Sequence, residues 1–346
     1  MTLLRRPLFL AGLLLAATWL SPATHAQQPD RFKFKSGIEL VNVTATVSGR
    51  DGRFVSGLRQ ADFTIYDDDK PQEITHFSSE RVPVSLGILL DASGSMGDQK
   101  MASARAAISH FVNDLLGDED QLFFMDFNEQ PHLDQDWTND RRAITRAMAS
   151  VNPIGSTALY DAIAEALPVA ADGKHGKKAL LVISDGNDSE SSIGASELRQ
   201  AIRESEVLVY ALGIDGVARA QTNQKKAPTN TRPRGGIPLP GSGRGGRGGR
   251  FPPIFPQLSY AAGANTDRVN ADALRRITDD TGGRTEIIRE LGDLDDATAR
   301  IADELSKQYS LGYTSPGLRD GKWHSIRVEV KDATATVRAR KGYISS

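Results

Sequence analysis

The chain has 346 residues, which allows one large domain or two ordinary ones. Hydrophobic residues make up 39% of it and charged residues 25%, as in globular proteins with a sizeable core. The formal net charge of −2 gives no overall bias toward nucleic acid. Because the chain has no cysteine, a disulfide framework, a lipid-anchored N-terminal cysteine and a cysteine-ligated zinc site are excluded.

Residues 1–26 have the pattern of a signal peptide. Arg5 and Arg6 precede the apolar run "PLFLAGLLLAATWL", and Thr24 and Ala26 are small residues at −3 and −1 of a cleavage site after Ala26. An uncleaved membrane anchor is the alternative, but the apolar run is short for a span. We therefore expect an exported protein, periplasmic or secreted, with no segment after residue 26 that could span a bilayer.

Residues 27–81 and 306–346 both have β patterns. "IELVNVTATV" alternates apolar and polar residues, and "DFTIYDDDKPQEITHF" predicts two short strands around a turn. The last residues contribute "YSLGYTS", "HSIRVEVKD" and "TATVRARKGY". Since neither end has enough strands for independent stability, we predict one small β-sandwich-like domain built from both termini. Two separate β elements packed on the core are the alternative.

Residues 82–305 have a different pattern. Continuous apolar runs such as "VSLGILLD", "KKALLVISD" and "VLVYALGI" alternate with amphipathic helical segments. Strands that are apolar throughout, with helices between them, indicate an α/β domain whose mostly parallel sheet is covered on both faces. This domain would be inserted between the two halves of the β domain.

Residues 216–267 interrupt the α/β pattern between a strand and a helix. The segment includes "GGIPLPGSGRGGRGGRFPPIFP" and contains eight Lys or Arg residues. Such a composition predicts a disordered, solvated insertion. Its "RGGRGGR" stretch resembles RNA-binding segments, but an exported protein rarely meets RNA, so contact with a polyanion or an acidic surface is the sharper alternative.

Oxygen-bearing side chains follow three of the predicted strands or loops. Asp91, Ser93 and Ser95 come directly after "LGILL", Thr157 precedes a predicted helix, and Asp185 ends another apolar strand. In an open parallel sheet, ligands bind beyond the carboxyl ends of the strands. Two carboxylates and three hydroxyls are ligands that suit a small divalent cation, Mg²⁺ first, with Mn²⁺ or Ca²⁺ as alternatives.

Each residue also has an ordinary interpretation. Asp91, Ser93 and Thr157 are suited to cap helices, and Asp185 to form a turn. The conjunction of all of them favours a metal site. Three further polar residues near strand ends, for which solvated loop positions are favoured over a supporting role at the site, are Asp126, Asn128 and Asp188.

The pattern D-x-S-x-S, then a threonine in "GST", then S-D-G resembles the metal-ion-dependent adhesion site of von Willebrand factor A domains. All five positions match, at Asp91, Ser93, Ser95, Thr157 and Asp185. The resemblance covers residues 82–305 and implies a Rossmann-like, doubly wound fold. It also implies a divalent cation that binds the acidic side chain of a protein partner. The flanking segments resemble a bacterial exported subgroup of this family.

An enzyme is not favoured by the sequence. "DASGSMG" is not G-x-S-x-G, because an alanine precedes Ser93. The histidines show no triad order, a Walker lysine and H-E-x-x-H are absent, and Ser93 stands where a phosphoryl-transfer site needs a second carboxylate. We therefore expect an exported metal-dependent adhesion module that does not bind nucleic acid. The alternative is a scaffold whose contacts come from the β domain or the basic segment.

Overall fold

The computed structural model describes residues 39–215, 268–290, 293–315 and 320–345. The predicted signal peptide and the predicted insertion at 216–267 lie outside these residues. Within the described ranges, the helices lack the combination of length and apolarity that crossing a membrane requires.

The described residues form fourteen strands and six α-helices. The strands are β1 Glu39–Ser48, β2 Phe63–Asp67, β3 Lys70–Gln72, β4 Ile74–Ser78, β5 Val84–Asp91, β6 Gln121–Phe127, β7 Pro131–Thr138, β8 Lys177–Ser184, β9 Leu208–Ile214, β10 Thr285–Ile288, β11 Tyr309–Ser315, β12 Trp323–Val330, β13 Thr336–Ala339 and β14 Gly342–Ile344. The helices are α1 Gly97–His110, α2 Arg141–Ser150, α3 Leu159–Ala171, α4 Ala195–Glu204, α5 Ala271–Thr278 and α6 Asp293–Lys307.

A six-stranded sheet forms the centre of the α/β region, in the order β10-β9-β8-β5-β6-β7. All its pairings are parallel except that of β6 with β7. Leu86, Ile88 and Leu90 of β5 pack with α1, α2 and α6, whereas Leu89 packs with α3, α4 and α5 on the opposite face. Side chains of successive strand residues point to opposite faces, so a strand buried on both must be apolar throughout. This confirms the predicted doubly wound α/β fold.

Two further four-stranded sheets combine strands from both ends of the described chain. Their orders are β13-β1-β11-β4 and β14-β12-β2-β3, and all pairings in them are antiparallel. The two sheets share one apolar core, which includes Val43, Ile65, Tyr309 and Tyr313. The predicted fold class is therefore confirmed, while the domain boundaries that we gave at 81/82 and 305/306 stay predictions.

Two details of the strands differ from the sequence prediction. The segment expected to form two short strands forms three, because Asp68 and Asp69 both adopt positive φ (46° and 61°) and close a two-residue hairpin between β2 and β3. The antiparallel edge strand β7 was not predicted. Its sequence "PHLDQDWT" alternates only weakly, with Leu133 and Trp137 on one face, and all its side chains are exposed or only partly buried, although Trp137 packs against Phe123.

A buried polar network joins α6 to the β1 sheet and to the central sheet. The Glu304 carboxylate accepts hydrogen bonds from the hydroxyls of Thr46 in β1 (3.2 Å) and Tyr210 in β9 (3.3 Å). Its other oxygen pairs with Arg338 and lies 3.6 Å from Arg284. Burial raises the pKa of Glu304, although both arginines oppose that shift. The network therefore consists of buried charges that depend on one another.

We expect Glu304→Ala to destabilise the fold by about 3–5 kcal/mol, because it removes a buried carboxylate that pairs with Arg338 and accepts hydrogen bonds from Thr46 and Tyr210. Arg284 keeps the Glu286 carboxylate at 2.8 Å. Asp303→Ala on the same helix is the matched control, since Asp303 is 54% exposed and pairs only at the surface with Lys307. The control should cost less than about 1 kcal/mol. Urea unfolding at neutral pH measures both values, and equal losses for the two variants would contradict the role given to the network.

Candidate metal centre

The central strand β5 ends in a carboxylate that has no access to solvent. Asp91 is 0% exposed, and its Oδ2 accepts a hydrogen bond of 2.6 Å from the hydroxyl of Ser184, the last residue of β8. The two residues meet because β5 and β8 are parallel neighbours, with Leu90 opposite Ile183. The strand end thus binds directly to the adjacent strand end.

The loop after β5 turns around the same carboxylate. The Ser93 N–H donates to Asp91 Oδ1 at 2.9 Å, and the hydroxyls of Ser93 and Ser95 lie 3.0 Å apart. Met96 is fully buried, and Gly97 has a φ of +43°, in the region that favours glycine. Met96 and Gly97 therefore lie at the turn into α1, and the Ser95 hydroxyl contacts that of Ser93, whose N–H binds Asp91.

Thr157 lies in a loop that contacts both strand ends. The Gly94 N–H donates to the carbonyl of Gly155 at 2.9 Å, which joins this loop to the one after β5. The Thr157 carbonyl accepts from the N–H of Ser189 at 2.9 Å, which joins it to the loop after β8. Thr157 itself is 4% exposed. Backbone hydrogen bonds thus bring the three sequence segments of the motif to one edge of the sheet.

Asp185 follows β8 and is also 0% exposed. Its Oδ1 accepts from the backbone and side-chain N–H groups of Asn187 at 3.2 and 3.1 Å. The next residue, Gly186, has a φ of +76°, and a Cβ there would lie 2.7 Å from the Asn270 carbonyl oxygen. Only glycine fits this position without displacing α5, which explains the S-D-G sequence.

Lys100 is a charged residue of the site that the sequence reasoning missed. Its Nζ lies 3.0 Å from Asp185 Oδ2, and its side chain is 7% exposed. A signal for it exists, since Lys100 precedes Ala104 and Ala107 at helical spacing on the buried face of α1. A lysine that continues an apolar stripe needs a buried counter-charge.

The two carboxylates influence each other. Burial raises the pKa of Asp91 to about 6, the charge of Asp185 adds to the shift, and the hydrogen bonds from Ser184 and Ser93 oppose it. Burial of two neighbouring acidic groups in a region of low dielectric thus favours a nearby cation, and Lys100 supplies one beside Asp185.

Of the ordinary roles considered for the motif residues, helix caps and a turn, the structure shows only the turn. Helix α3 begins after Ala158 without a side-chain cap, so Thr157 does not cap it, and α1 likewise has no side-chain cap. Asp185 does form a turn with Asn187. The donor set of carboxylate and hydroxyl oxygens fits a small, hard divalent cation. Its five expected ligands are Asp91, Ser93, Ser95, Thr157 and Asp185, and their role as ligands stays a prediction.

The three further polar residues near strand ends, Asp126, Asn128 and Asp188, have different contacts. The Asn128 carbonyl accepts from the Ala158 N–H at 2.6 Å, just before α3. Asp188 accepts from the N–H of Tyr160 and the hydroxyl of Ser191. Asn128 and Asp188 thus brace the loops around Thr157. Burial and the Asp134 carboxylate raise the pKa of Asp126 to about 7, and this residue pairs with β7 rather than with the motif loops.

A second acidic group occurs in the β sheets. Asp67, Asp68 and His324 offer ligand atoms within 4.8 Å of one another. However, the His324 nitrogens lie 2.9 Å from Asp68 Oδ2 and 3.2 Å from Asp320 Oδ1, and Asp67 accepts from the hydroxyl of Tyr313. A histidine between two carboxylates is a charged clamp, so an ion pair accounts for the cluster.

The described geometry is that of an α/β domain with an oxygen-rich site at the carboxyl ends of its parallel strands. The family model of the von Willebrand factor type A domain matches residues 86–232. The chain therefore contains a von Willebrand factor type A domain, which confirms the resemblance seen in the sequence.

The relatives are distant. The inter-alpha-trypsin inhibitor heavy chain H2 of Sus scrofa is 23% identical over 155 residues, and that of Mus musculus is 24% identical over 151 residues. The matches cover 40% and 38% of this chain but only 16% of either relative. The chain thus spans about a sixth of the length of the curated relatives that it matches.

Solved structures of similar fold include bacterial proteins. The conserved hypothetical protein BatB from Bacteroides thetaiotaomicron is 21% identical, with a TM-score of 0.43 over 64% of this chain and 98% of that chain. The von Willebrand factor type A protein from Catenulispora acidiphila is 15% identical, with a TM-score of 0.44 over 90% of this chain and 76% of that chain.

The charged clamp predicts a pH dependence of stability. Burial lowers the pKa of His324, but the hydrogen bonds and charges of Asp68 and Asp320 outweigh it and raise the pKa above 6.5. Since the pKa of His324 is higher in the folded than in the unfolded state, the clamp stabilises the fold fully below about pH 6.5. Its contribution to stability is lost as the pH rises through the raised pKa.

His324→Gln should therefore reduce the fall in unfolding free energy between pH 6 and pH 9. His76→Gln, at an exposed residue of β4, should leave that fall unchanged. Urea unfolding at the two pH values is the measurement, and an unaltered fall in His324→Gln would refute the clamp.

Proposed function

We propose that this chain is an exported, metal-dependent protein-binding module. Von Willebrand factor type A domains commonly mediate metal-dependent protein interactions. Here a divalent cation, Mg²⁺ by the chemistry of the donors, is held by Asp91, Ser93, Ser95, Thr157 and Asp185. When bound, the ion supplies an electrophilic centre that accepts a carboxylate from a protein partner. Export rests on the pattern of residues 1–26.

The observation that carries the proposal is that backbone hydrogen bonds hold three loops together at one edge of the sheet. The hydrogen bonds Gly94–Gly155 and Thr157–Ser189 hold these loops beside the buried Asp91 carboxylate. Loops braced by backbone hydrogen bonds keep oxygen donors in fixed positions, which a small ion of strict geometry requires.

Binding accounts for these residues better than catalysis does. Asp91 is wholly buried and its two oxygens accept hydrogen bonds, so it is poorly placed to attack a substrate. The hydroxyls of Ser93 and Ser95 contact each other instead of an activating histidine. A serine nucleophile needs an adjacent general base, whereas a metal ligand needs only its lone pairs.

Asp91→Asn tests the proposal with little change in shape. It removes one of two carboxylates, so the Mg²⁺ affinity should fall by at least about tenfold, or 1.4 kcal/mol. Asp98→Ala is the matched control, since Asp98 is an exposed acid in the first turn of α1, and it should keep the wild-type affinity. Isothermal titration with Mg²⁺ and with Mn²⁺ measures both. Equal affinities for wild type and Asp91→Asn would exclude Asp91 as a ligand.

Partner binding is tested with the same variants. Envelope and culture fractions passed over the immobilised protein in Mg²⁺ should yield a partner that EDTA elutes and that Asp91→Asn does not retain. A partner that stays bound in EDTA and on Asp91→Asn would point instead to contacts outside the metal site.

A further inference from the structure

Lys100 places a fixed positive charge inside the candidate metal centre. Its side chain is 7% exposed, and its ammonium lies 3.0 Å from Asp185 Oδ2. The lysine is on α1, the helix that begins directly after the loop with Ser93 and Ser95. It is therefore attached to the same segment that supplies three of the expected ligands.

Both oxygens of Asp185 are already engaged by groups of the chain. Oδ1 accepts two N–H groups of Asn187, and Oδ2 accepts the Lys100 ammonium. A divalent cation that binds Asp185 must share this carboxylate with Lys100 or displace the ammonium from it. Two cations that share one buried carboxylate repel each other strongly, because the dielectric there is low.

We propose that the amine of Lys100, which lies 3.0 Å from Asp185 Oδ2, competes with the divalent ion for this carboxylate and weakens its binding. The inference rests on the proposed metal site and names the residue that sets its affinity. Lys100 offsets the repulsion between the two buried carboxylates, so the fold does not depend on a metal to hold them together.

The charge balance also bears on the partner. Counted with ionised carboxylates and a protonated amine, Asp91, Asp185 and Lys100 carry one net negative charge, which a divalent ion would convert to one net positive charge. A loaded site with a positive charge attracts a carboxylate from outside. Without Lys100 the loaded site would be neutral and the attraction weaker. The lysine therefore lowers affinity for the metal and raises affinity for the acidic partner group.

Mn²⁺ alone is the probe for this inference, with binding followed by electron paramagnetic resonance and by isothermal titration. Lys100→Met keeps the length and packing of the side chain, and Lys100→Gln keeps an amide donor for Asp185. Both variants should bind Mn²⁺ at least about tenfold more tightly than the wild type, because the competing charge is gone. Lys307→Met is the matched control, since it removes a lysine that is 51% exposed on α6, and its affinity should equal the wild-type value.

Thermal unfolding provides a second measurement. In buffer with EDTA, Lys100→Met should unfold at a lower temperature than wild type, and Mn²⁺ should raise its Tm by more than it raises that of wild type. If Lys100→Met does not fold without metal, Lys100→Gln gives the affinity comparison.

The outcomes separate this inference from the proposed function. Wild type that binds Mn²⁺ with Lys100 variants of equal or lower affinity overturns the inference and leaves the metal site standing. Variants that bind Mn²⁺ where wild type does not would overturn the proposed function and the inference with it, because Lys100 would then exclude the ion instead of weakening its binding. Absence of binding in all of them overturns both.

Discussion

The burial of Asp91 is the constraint on which the functional edge of this protein depends. All eight residues of β5 are buried, so the strand ends in a carboxylate that cannot reach bulk water. A buried carboxylate needs donors, and they come from the next strand, through Ser184, and from the following turn, through the Ser93 N–H. The Gly94–Gly155 and Thr157–Ser189 hydrogen bonds then tie the surrounding loops into place. The geometry at this edge of the central sheet thus follows from the need to supply hydrogen bonds to the Asp91 carboxylate.

Charge balance at this edge comes from within the chain as well as from any bound ion. Burial raises the pKa of Asp91, and the charge of Asp185 adds to that shift, because the two carboxylates repel each other in a region without solvent. The Lys100 ammonium offsets part of that repulsion by pairing with Asp185. A fully acidic cage would bind a dication more tightly but would be harder to keep folded without it. In the proposed metal-bound state the same lysine would leave the ion electrophilic.

The β sheets depend on a comparable but separate constraint. Glu304 and Gln308 contact both Thr46 of the β1 sheet and Tyr210 of the central sheet. Apolar packing alone would allow the layers to slide, whereas hydrogen bonds between buried groups are satisfied in one arrangement only. The network therefore defines how β1 and β9 pack around α6.

Much of this architecture is determined by the sequence alone. Unbroken apolar runs predict the parallel strands, amphipathic segments predict the helices, and the D-x-S-x-S, GST and S-D-G segments predict the site, because burial periodicity and turn chemistry are local. Which polar groups pair across long sequence distances is not a local property of the sequence. Lys100 and Asp185 are 85 residues apart, His324 and Asp68 are 256 apart, and Tyr210 and Glu304 are 94 apart. The edge strand β7 was missed for a related reason, since it forms by pairing with β6 and its weak apolar alternation leaves every side chain exposed or only partly buried. Only the tertiary structure decided which buried charges meet, because that depends on which chain segments the sheet brings to the same edge.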